Sequence, residues 1–518
     1  MIEQRSDDAL KQQLHVLLHD HFGHTQFRDG QEEILLALAQ GTDVFAVMPT
    51  GSGKSLLYQL PGYLREGLVL IVSPLISLME DQLRSLRAIG ERRVRALNSL
   101  VNSEQRNHIL KTLASLRFLF ISPEMVQKSQ ILDALKRVRV SLFVIDEAHC
   151  VSQWGYDFRP DYLRLAAIRQ TLGSPQCLAL TATASERTEA DICTHLGLTH
   201  VRTFIHSVDR PNIAIRVQHT QSDDEKVSAL LTLLRHTQLP AIVYCSSRSW
   251  CEQLSQIIYE QTRLITAYYH GGMVMDDRMK IQHQFINQRL PVLCCTNAFG
   301  MGVNLPNLRL VVHFHYPLSI HAYMQEIGRA GRDGGQSMAV LYYCQADDRL
   351  PQRLIDTNYP DEQLLSRTFR ELDQGQLTLA KEDQLAAALS NQGATPTAIR
   401  FLIDQAHTKK PSATFLSLFE QCRALIQQRR QRKLNELSEM RQWLQASGCR
   451  RAALLRLYNE RQSERVPWCC DQCGLPADFL ERPDPPVEES DLSVRDWRLQ
   501  LDCLLGEPDV KKADLGSS

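Results

Sequence analysis

Lys54 and Ser55 close the run Thr50-Gly51-Ser52-Gly53-Lys54-Ser55, and two adjacent carboxylates, Asp146 and Glu147, end an apolar run further along the chain. These residue types in this order suit a nucleoside triphosphate and its magnesium ion. Glycines let backbone N–H groups turn toward phosphate oxygens, Lys54 reaches the β and γ oxygens, and the Ser55 hydroxyl can sit on Mg²⁺. Met48 stands where the strict G-x-x-x-x-G-K-[ST] pattern has its first glycine, so the loop alone is an incomplete match. Ser141-Leu142-Phe143-Val144-Ile145 supplies the other half, a buried-strand pattern ending in Asp146-Glu147-Ala148-His149. A carboxylate at the C-terminal edge of a parallel strand can hold the same Mg²⁺, which is assigned to Asp146, while Glu147 orients the attacking water. Either acid alone would read as a solvated side chain at a strand end.

A third group is Tyr323-Met324-Gln325-Glu326-Ile327-Gly328-Arg329-Ala330-Gly331-Arg332, with two arginines at i and i+3 beside glycines. An arginine offered to the γ-phosphate from a second lobe stabilises transition-state charge and is worth about 10³ to 10⁵ in rate. Arg332 is the first candidate for that finger and Arg329 the second. A surface salt-bridge network is the common use of arginine, but it does not account for the glycines.

Parallel strands are the elements that position such groups. Apolar runs at Val44–Val47, Leu68–Val72, Arg117–Ile121, Leu142–Ile145 and Cys177–Leu180 alternate with amphipathic stretches, a βαβ rhythm that predicts a parallel sheet. The rhythm resumes after Asp209-Arg210-Pro211-Asn212, with strands near Ala241–Cys245, Val292–Thr296, Leu310–Phe314 and Met338–Tyr343. The expected fold is therefore α/β with two parallel-sheet lobes, 1–208 and 209–348, and the triphosphate between them. A helical segment at 349–447 and a cysteine module at 448–475 follow, then an acidic, proline-containing tail at 476–518. Within the helical segment, Leu385–Leu389, a turn at Asn391–Pro396 and Ala398–Ile403 read as a helix-turn-helix or, equally, as a packing element, since the second helix carries only Arg400 as a basic residue.

The 518 residues exceed one core, and a prior of about 100 to 200 residues per domain suggests several. With 43% hydrophobic and 23% charged residues the chain is globular, and its net charge is only −1. A nucleic-acid partner would need basic residues concentrated locally. Arg423 to Arg465 does this with eleven Lys/Arg against four Asp/Glu, although a solvated helical face reads the same way. No apolar run reaches the ~18 to 20 residues that span a membrane, and the N-terminus lacks a signal-peptide core, so a cytoplasmic protein is expected. Most of the fourteen cysteines, such as Cys177, Cys245 and Cys294, lie singly in apolar patterns and read as core. Cys449 and Trp468-Cys469-Cys470-Asp471-Gln472-Cys473 differ: four thiols, three within five residues, read as a structural zinc site.

The chain resembles the RecQ-type DNA helicases of helicase superfamily two over roughly residues 10 to 475. Beyond the motifs above, the resemblance is carried by Phe22-Gly23-His24-Thr25-Gln26-Phe27-Arg28-Asp29-Gly30-Gln31-Glu32-Glu33, Ser73-Pro74-Leu75-Ile76-Ser77-Leu78-Met79-Glu80-Asp81-Gln82 and Ala179-Leu180-Thr181-Ala182-Thr183-Ala184. Asp209-Arg210-Pro211-Asn212 and Phe299-Gly300-Met301-Gly302-Val303-Asn304 add to it. The lobes are then expected to be RecA-like. The first block resembles an adenine-recognition motif. The Gln31 side chain can pair bidentately with adenine N6 and N7, and the Arg28 guanidinium can stack on the base. The family's lone cysteine followed by C-x-x-C-x-x-C is altered here, because Pro467 holds the first position of the triplet, and Cys469 is inferred to replace it; a three-thiolate site is the alternative.

The block after His149, Ser152-Gln153-Trp154-Gly155-Tyr156-Asp157-Phe158-Arg159-Pro160, resembles the family's aromatic-rich loop. Trp154, Phe158 and Arg159, with His149, are its candidates for coupling DNA to hydrolysis, since base stacking is worth about 1 to 3 kcal/mol per base. The resemblance implies an ATP-, Mg²⁺- and Zn²⁺-dependent helicase on single-stranded and partly duplex DNA, with 3′-to-5′ polarity, repair or recombination work, and single-strand-binding and other repair proteins as partners. The chain after Cys473 leaves no room for the family's winged-helix and terminal helical domains, so a short form is expected. An RNA-dependent ATPase, since Asp146-Glu147-Ala148-His149 also occurs in RNA helicases, and a DNA-binding regulator on a nucleotide-sensing scaffold are the alternatives.

Overall fold

The computed structural model describes residues 7–152, 160–184, 186–299, 305–357, 359–377, 382–407, 414–462, 466–476 and 478–481. Seven strands form the first sheet: β1 (Asp43–Val47), β2 (Leu68–Val72), β3 (Val94–Leu97), β4 (Phe118–Ile121), β5 (Val140–Ile145), β6 (Cys177–Thr181) and β7 (Val201–Ile205). They pair in parallel in the order β3-β4-β2-β5-β6-β1-β7. A sheet covered by helices on both faces buries both sides of each central strand, which is why β2 reads as the unbroken apolar run LVLIV. Two buried clusters, one around Phe45, Leu70, Phe143 and Tyr162 and one around Val44, Ile71, Phe120 and Leu178, lie on the two faces.

Six more strands form the second sheet: β8 (Ile213–His219), β9 (Ala241–Tyr244), β10 (Thr266–Tyr269), β11 (Val292–Cys295), β12 (Leu310–His313) and β13 (Ser337–Tyr343), in the parallel order β10-β11-β9-β12-β13-β8. The strands β3, β7, β8 and β10 were not anticipated from the sequence. Three of these four, β3, β8 and β10, lie at sheet edges, and β7, at the remaining edge, has an exposed, alternating pattern, so none carries the long apolar signature of a central strand.

The helical segment divides its packing. Helices Glu362–Asp373, Glu382–Asn391 and Pro396–His407 share a small core of Leu365, Phe369, Leu389, Phe401 and Leu402 with the start of the long helix Phe415–Gln445. The far end of that helix, through Leu437, Met440, Trp443 and Leu444, enters the core of the second lobe instead, together with Leu454, Leu455, Cys469 and Cys470. The backbone of Ile215 in β8 bridges to Cys470 and donates to the Cys469 carbonyl at 3.1 Å. No helix among the described residues is long and apolar enough to cross a membrane.

Candidate functional site

The glycine loop leaves the C-terminal end of β1 and turns into the helix Leu56–Gln59. Met48, the departure from the strict pattern, is 1% exposed and continues the strand, its N–H donating to the Thr181 carbonyl at 3.0 Å. Its side chain serves the core, so the missing glycine lies before the part of the loop that faces a ligand. Gly51 and Gly53 have φ of +86° and +81°, conformations that L side chains rarely adopt. Lys54 Nζ and Ser52 Oγ are buried without a hydrogen-bond partner among the described residues. A buried ammonium is costly unless an anion answers it, so this cradle suits a phosphate group.

Asp146 stands at the end of β5, next to the loop, and burial pushes its carboxyl up to about 7, reinforced by Glu147 and opposed by Lys54. Its Oδ1 accepts from the Glu147 N–H at 3.0 Å, and Ser73 Oγ lies 3.5 Å from its Oδ2. A divalent cation would favour the ionised form that burial disfavours. Glu147 adopts φ +50°, a left-handed turn for a non-glycine residue, and backbone strain of this kind concentrates at functional sites. His149, 3% exposed, lies between the carboxylate and the next strand: its Nδ1 is 3.3 Å from Glu147 Oε2 and 3.0 Å from Thr181 Oγ1. It thus joins the acidic motif to the Thr181–Ala184 block, a link between segments 32 residues apart that only the fold makes visible.

The second lobe reaches this loop directly. Thr50 Oγ1 donates to the Gly328 carbonyl at 2.9 Å, and a Cβ on Gly328 would stand 2.2 Å from that hydroxyl. Arg332 packs its side chain on Gly51, where a Cβ would come within 2.8 Å of Arg332 Cγ. Burial lowers the Arg332 pKa to about 9, helped by Arg329 and Arg210. Arg28, Arg210 and Arg332, crowded against Thr50 and Gly51 of the same loop as Lys54, make an electropositive cleft, which favours a polyanion. The first lobe's Gln31, 3% exposed, donates from Nε2 to the Ser52 and Gly53 carbonyls at 2.8 and 3.2 Å, and its Oε1 accepts from the Arg28 N–H at 2.9 Å. Arg28 NH1 donates to the Gly51 carbonyl. Gln31 and Arg28 therefore lie against the glycine loop itself. Of the coupling candidates only His149 is described; Trp154, Phe158 and Arg159 lie outside the described residues.

At the other site, one donor atom from each of Cys449, Cys469, Cys470 and Cys473 lies within 4.8 Å of the others, with Cys449 Sγ 3.4 Å from Cys469 Sγ and 4.0 Å from Cys470 Sγ. Thiolates about 2.3 Å from a tetrahedral zinc stand roughly 3.8 Å apart, so all four fit, the adjacent pair included. Backbone N–H groups of Ala452 and Arg450 donate to Cys449 Sγ and Cys470 Sγ at 3.4 and 3.3 Å. For Cys449, burial would raise the pKa, but the N–H of Ala452 and the neighbouring thiols outweigh it and the net direction is down. Several basic residues around this module make intramolecular contacts. Arg450 is 3% exposed and donates to the Trp443, Leu444 and Ala446 carbonyls, closing the long helix. Arg451 is 2% exposed, while Arg423, Arg430 and Arg441 form ion pairs with Glu362, Asp356 and Asp348. Arg400, the one basic residue of the helix-turn-helix-like pair, forms an ion pair with Asp161 of the first lobe at 3.3 Å while its side chain stays largely exposed.

Residues 28–192 match the DEAD/DEAH box helicase family, 225–334 the helicase conserved C-terminal domain and 398–474 the RecQ zinc-binding family. The probable ATP-dependent DNA helicase RecS of Bacillus subtilis is 42% identical over 472 residues, covering 90% of this chain and 93% of that protein. The chain belongs to the RecQ family of ATP-dependent DNA helicases. Within that family, the RecQ helicase of Haemophilus influenzae is 40% identical, over 64% of this chain and 54% of its own length. The fold of this RecQ-family chain is also similar to that of Mycobacterium smegmatis helicase Lhr bound to ssDNA and AMP-PNP, with a TM-score of 0.54, 20% identity and coverage of 67% and 49%. The DUF1998 helicase MrfA bound to DNA gives 0.56, with 19% identity and coverage of 66% and 52%. At such identities the likeness is one of fold.

Proposed function

We propose that ATP held between the two lobes drives translocation of this chain along single-stranded DNA, 3′ to 5′, separating duplexes during repair or recombination in the cytoplasm. The observation that carries the reading is the buried ammonium of Lys54, without a hydrogen-bond partner among the described residues, in a glycine loop that faces Asp146 and Glu147 from its own lobe and Arg332 from the other. Lys54 and the loop N–H groups of Thr50, Gly51, Ser52 and Gly53 bind the phosphates. Ser55 and Asp146 hold the magnesium ion, which when bound neutralises phosphate charge. Glu147 orients the attacking water, and Arg332, with Arg329, meets charge developing on the γ-phosphoryl group. Gln31 and Arg28 select adenine, leaving their loop carbonyls as the base arrives.

Opening and closing of the lobes is the mechanical output. The Glu147–His149–Thr181 link carries the state of the hydrolytic carboxylates toward the aromatic-rich loop, where Trp154, Phe158 and Arg159 hold the bases. Stacking of about 1 to 3 kcal/mol per base offsets a mean melting cost of about 1.4 kcal/mol per base-pair step; direction comes from the ATP cycle. Cys449, Cys469, Cys470 and Cys473 hold a structural zinc. Phosphate release by the purified chain, alone, with single-stranded DNA and with RNA of the same sequence, tests the reading. Strong stimulation by DNA is expected; stimulation by RNA alone would replace it with RNA-dependent hydrolysis.

A further inference from the structure

Arg210 lies between the lobes, in the segment that connects β7 to β8, and its guanidinium reaches both. NH1 donates to the carbonyl of Thr50 in the phosphate loop at 2.8 Å and to that of Gly328 at 3.1 Å. NH2 donates to the carbonyls of Ala330 and Gly331 at 3.0 and 2.7 Å. Those three residues of the second lobe flank Arg329 and Arg332. Asn212, two residues on, adds Nδ2 bonds to the Gly331 and Gly335 carbonyls at 2.8 and 2.9 Å. Gly331 has φ +55°, and a Cβ there would stand 2.4 Å from Asn212 Nδ2, so the arginine loop is shaped to receive both side chains.

The backbone carrying Arg210 is itself held. Arg451, from the helix Arg450–Arg456 that begins at the zinc thiols, donates to the Asp209 carboxylate, to the Arg210 carbonyl at 3.0 Å and to the Ile213 carbonyl. A planar fork with several fixed donors joins carbonyls of two loops in one set geometry, which a compact ammonium on a flexible stem holds less firmly. These four hydrogen-bond partners are neutral carbonyls, so in these contacts the guanidinium neutralises no acid; what it fixes is the distance between the phosphate loop and the arginine loop.

We propose that Arg210 is a positioning residue for hydrolysis, setting Arg332 against the γ-phosphate when the lobes close. This rests on the reading of Arg332 given above. Misplacing a transition-state group by about 1 Å can cost about 10²-fold in rate. The test compares Arg210→Ala, Arg210→Lys and Arg332→Ala in the full chain, measuring DNA-stimulated kcat and KM for ATP, the Kd of a fluorescent ADP analogue, single-stranded DNA affinity and the thermal midpoint. Arg210→Ala is expected to lower kcat about 10²-fold while KM, ADP affinity and DNA affinity stay within about threefold, the signature of an interaction used only in the transition state. Arg210→Lys is expected to recover little. A kcat within about threefold of wild type in Arg210→Ala, with Arg332→Ala inactive, overturns the proposal. So does a raised KM and weakened ADP binding at unchanged kcat, which would make Arg210 a nucleotide-binding group. Full turnover in Arg332→Ala would instead sink the reading of the arginine loop. Should Arg210→Ala fail to fold, Arg210→Gln, which keeps a planar donor able to reach one loop, is judged by the same criteria.

Discussion

The nucleotide cleft and the zinc module are both clusters of small polar groups, but they are assembled over opposite ranges of sequence. Gln31, Lys54, Asp146, Arg210 and Arg332 come from both lobes and the segment between them, and meet only because the lobes meet. Three of the four thiols lie within five residues and the fourth opens an adjacent helix. Their stored tension differs too. The cleft keeps a buried ammonium and crowded arginines that an anion would relieve, whereas two of the thiols, Cys449 and Cys470, already accept N–H groups from the backbone. The cleft is therefore expected to respond to ligand and to lobe closure, and the module to metal alone.

The largest effect should fall on the cleft. Lys54→Ala is expected to bring hydrolysis to background and Arg332→Ala to lower it about 10³-fold or more, in both cases with thermal midpoint and DNA binding preserved. Loss of DNA binding alongside hydrolysis would break the separation between ligand-dependent cleft and scaffold. The module should show the reverse pattern. Because metal binding is coupled to folding in such sites, Cys470→Ser, at a fully buried ligand position, should lower zinc content and thermal midpoint together, and a strong chelator should do the same to the wild type. Unchanged zinc content in Cys470→Ser would favour a three-thiolate site built without it.

How far each region could be read from the sequence follows the same contrast. Central strands such as β2 and β5 announce themselves as apolar runs, and the Lys54, Asp146 and Arg332 motifs are local strings, so both were legible. Arg210 was visible only as part of the block joining the lobes. Its role depends on carbonyls of Thr50, Gly328, Ala330 and Gly331, and a carbonyl carries no side-chain signature. The basic stretch from Arg423 to Arg465 was legible only as charge, for a related reason: sequence shows that a residue is charged, not that Arg450 caps a helix and Arg451 is sunk against Asp209. Gly30 is a further case, since composition cannot show that its φ is +75° and that a Cβ would lie 1.9 Å from the His206 ring.

Gly30 precedes Gln31, so it allows a smaller and more specific perturbation of the cleft. Gly30→Ala must strain the backbone at positive φ, displace His206, or both, at about 1 to 3 kcal/mol. Its expected result is a modestly lower thermal midpoint and a raised KM for ATP with reduced preference over GTP, while zinc content stays constant. A changed midpoint with unaltered ATP preference would separate Gly30 from base recognition and leave it a purely structural turn.

The smallest effect probes the contact between lobes away from the phosphates. Asp81, on the helix Ile76–Ala88, is 3.5 Å from Gln282 of the second lobe, and burial pushes its carboxyl up to about 6, an effect only partly offset by Arg84. A carboxyl that holds its proton more tightly folded than unfolded favours the folded state at low pH, and that contribution is lost as pH rises from about 4 to the folded value. Wild-type thermal stability should therefore carry a downward slope over pH 4 to 6 that Asp81→Asn flattens, since the amide keeps the shape and cannot ionise. The difference should be small, because Arg84 is half exposed and solvent screens the pair. Identical slopes in the two proteins would mean that Asp81 ionises as freely as a solvated acid, and that the lobes do not press together at this point.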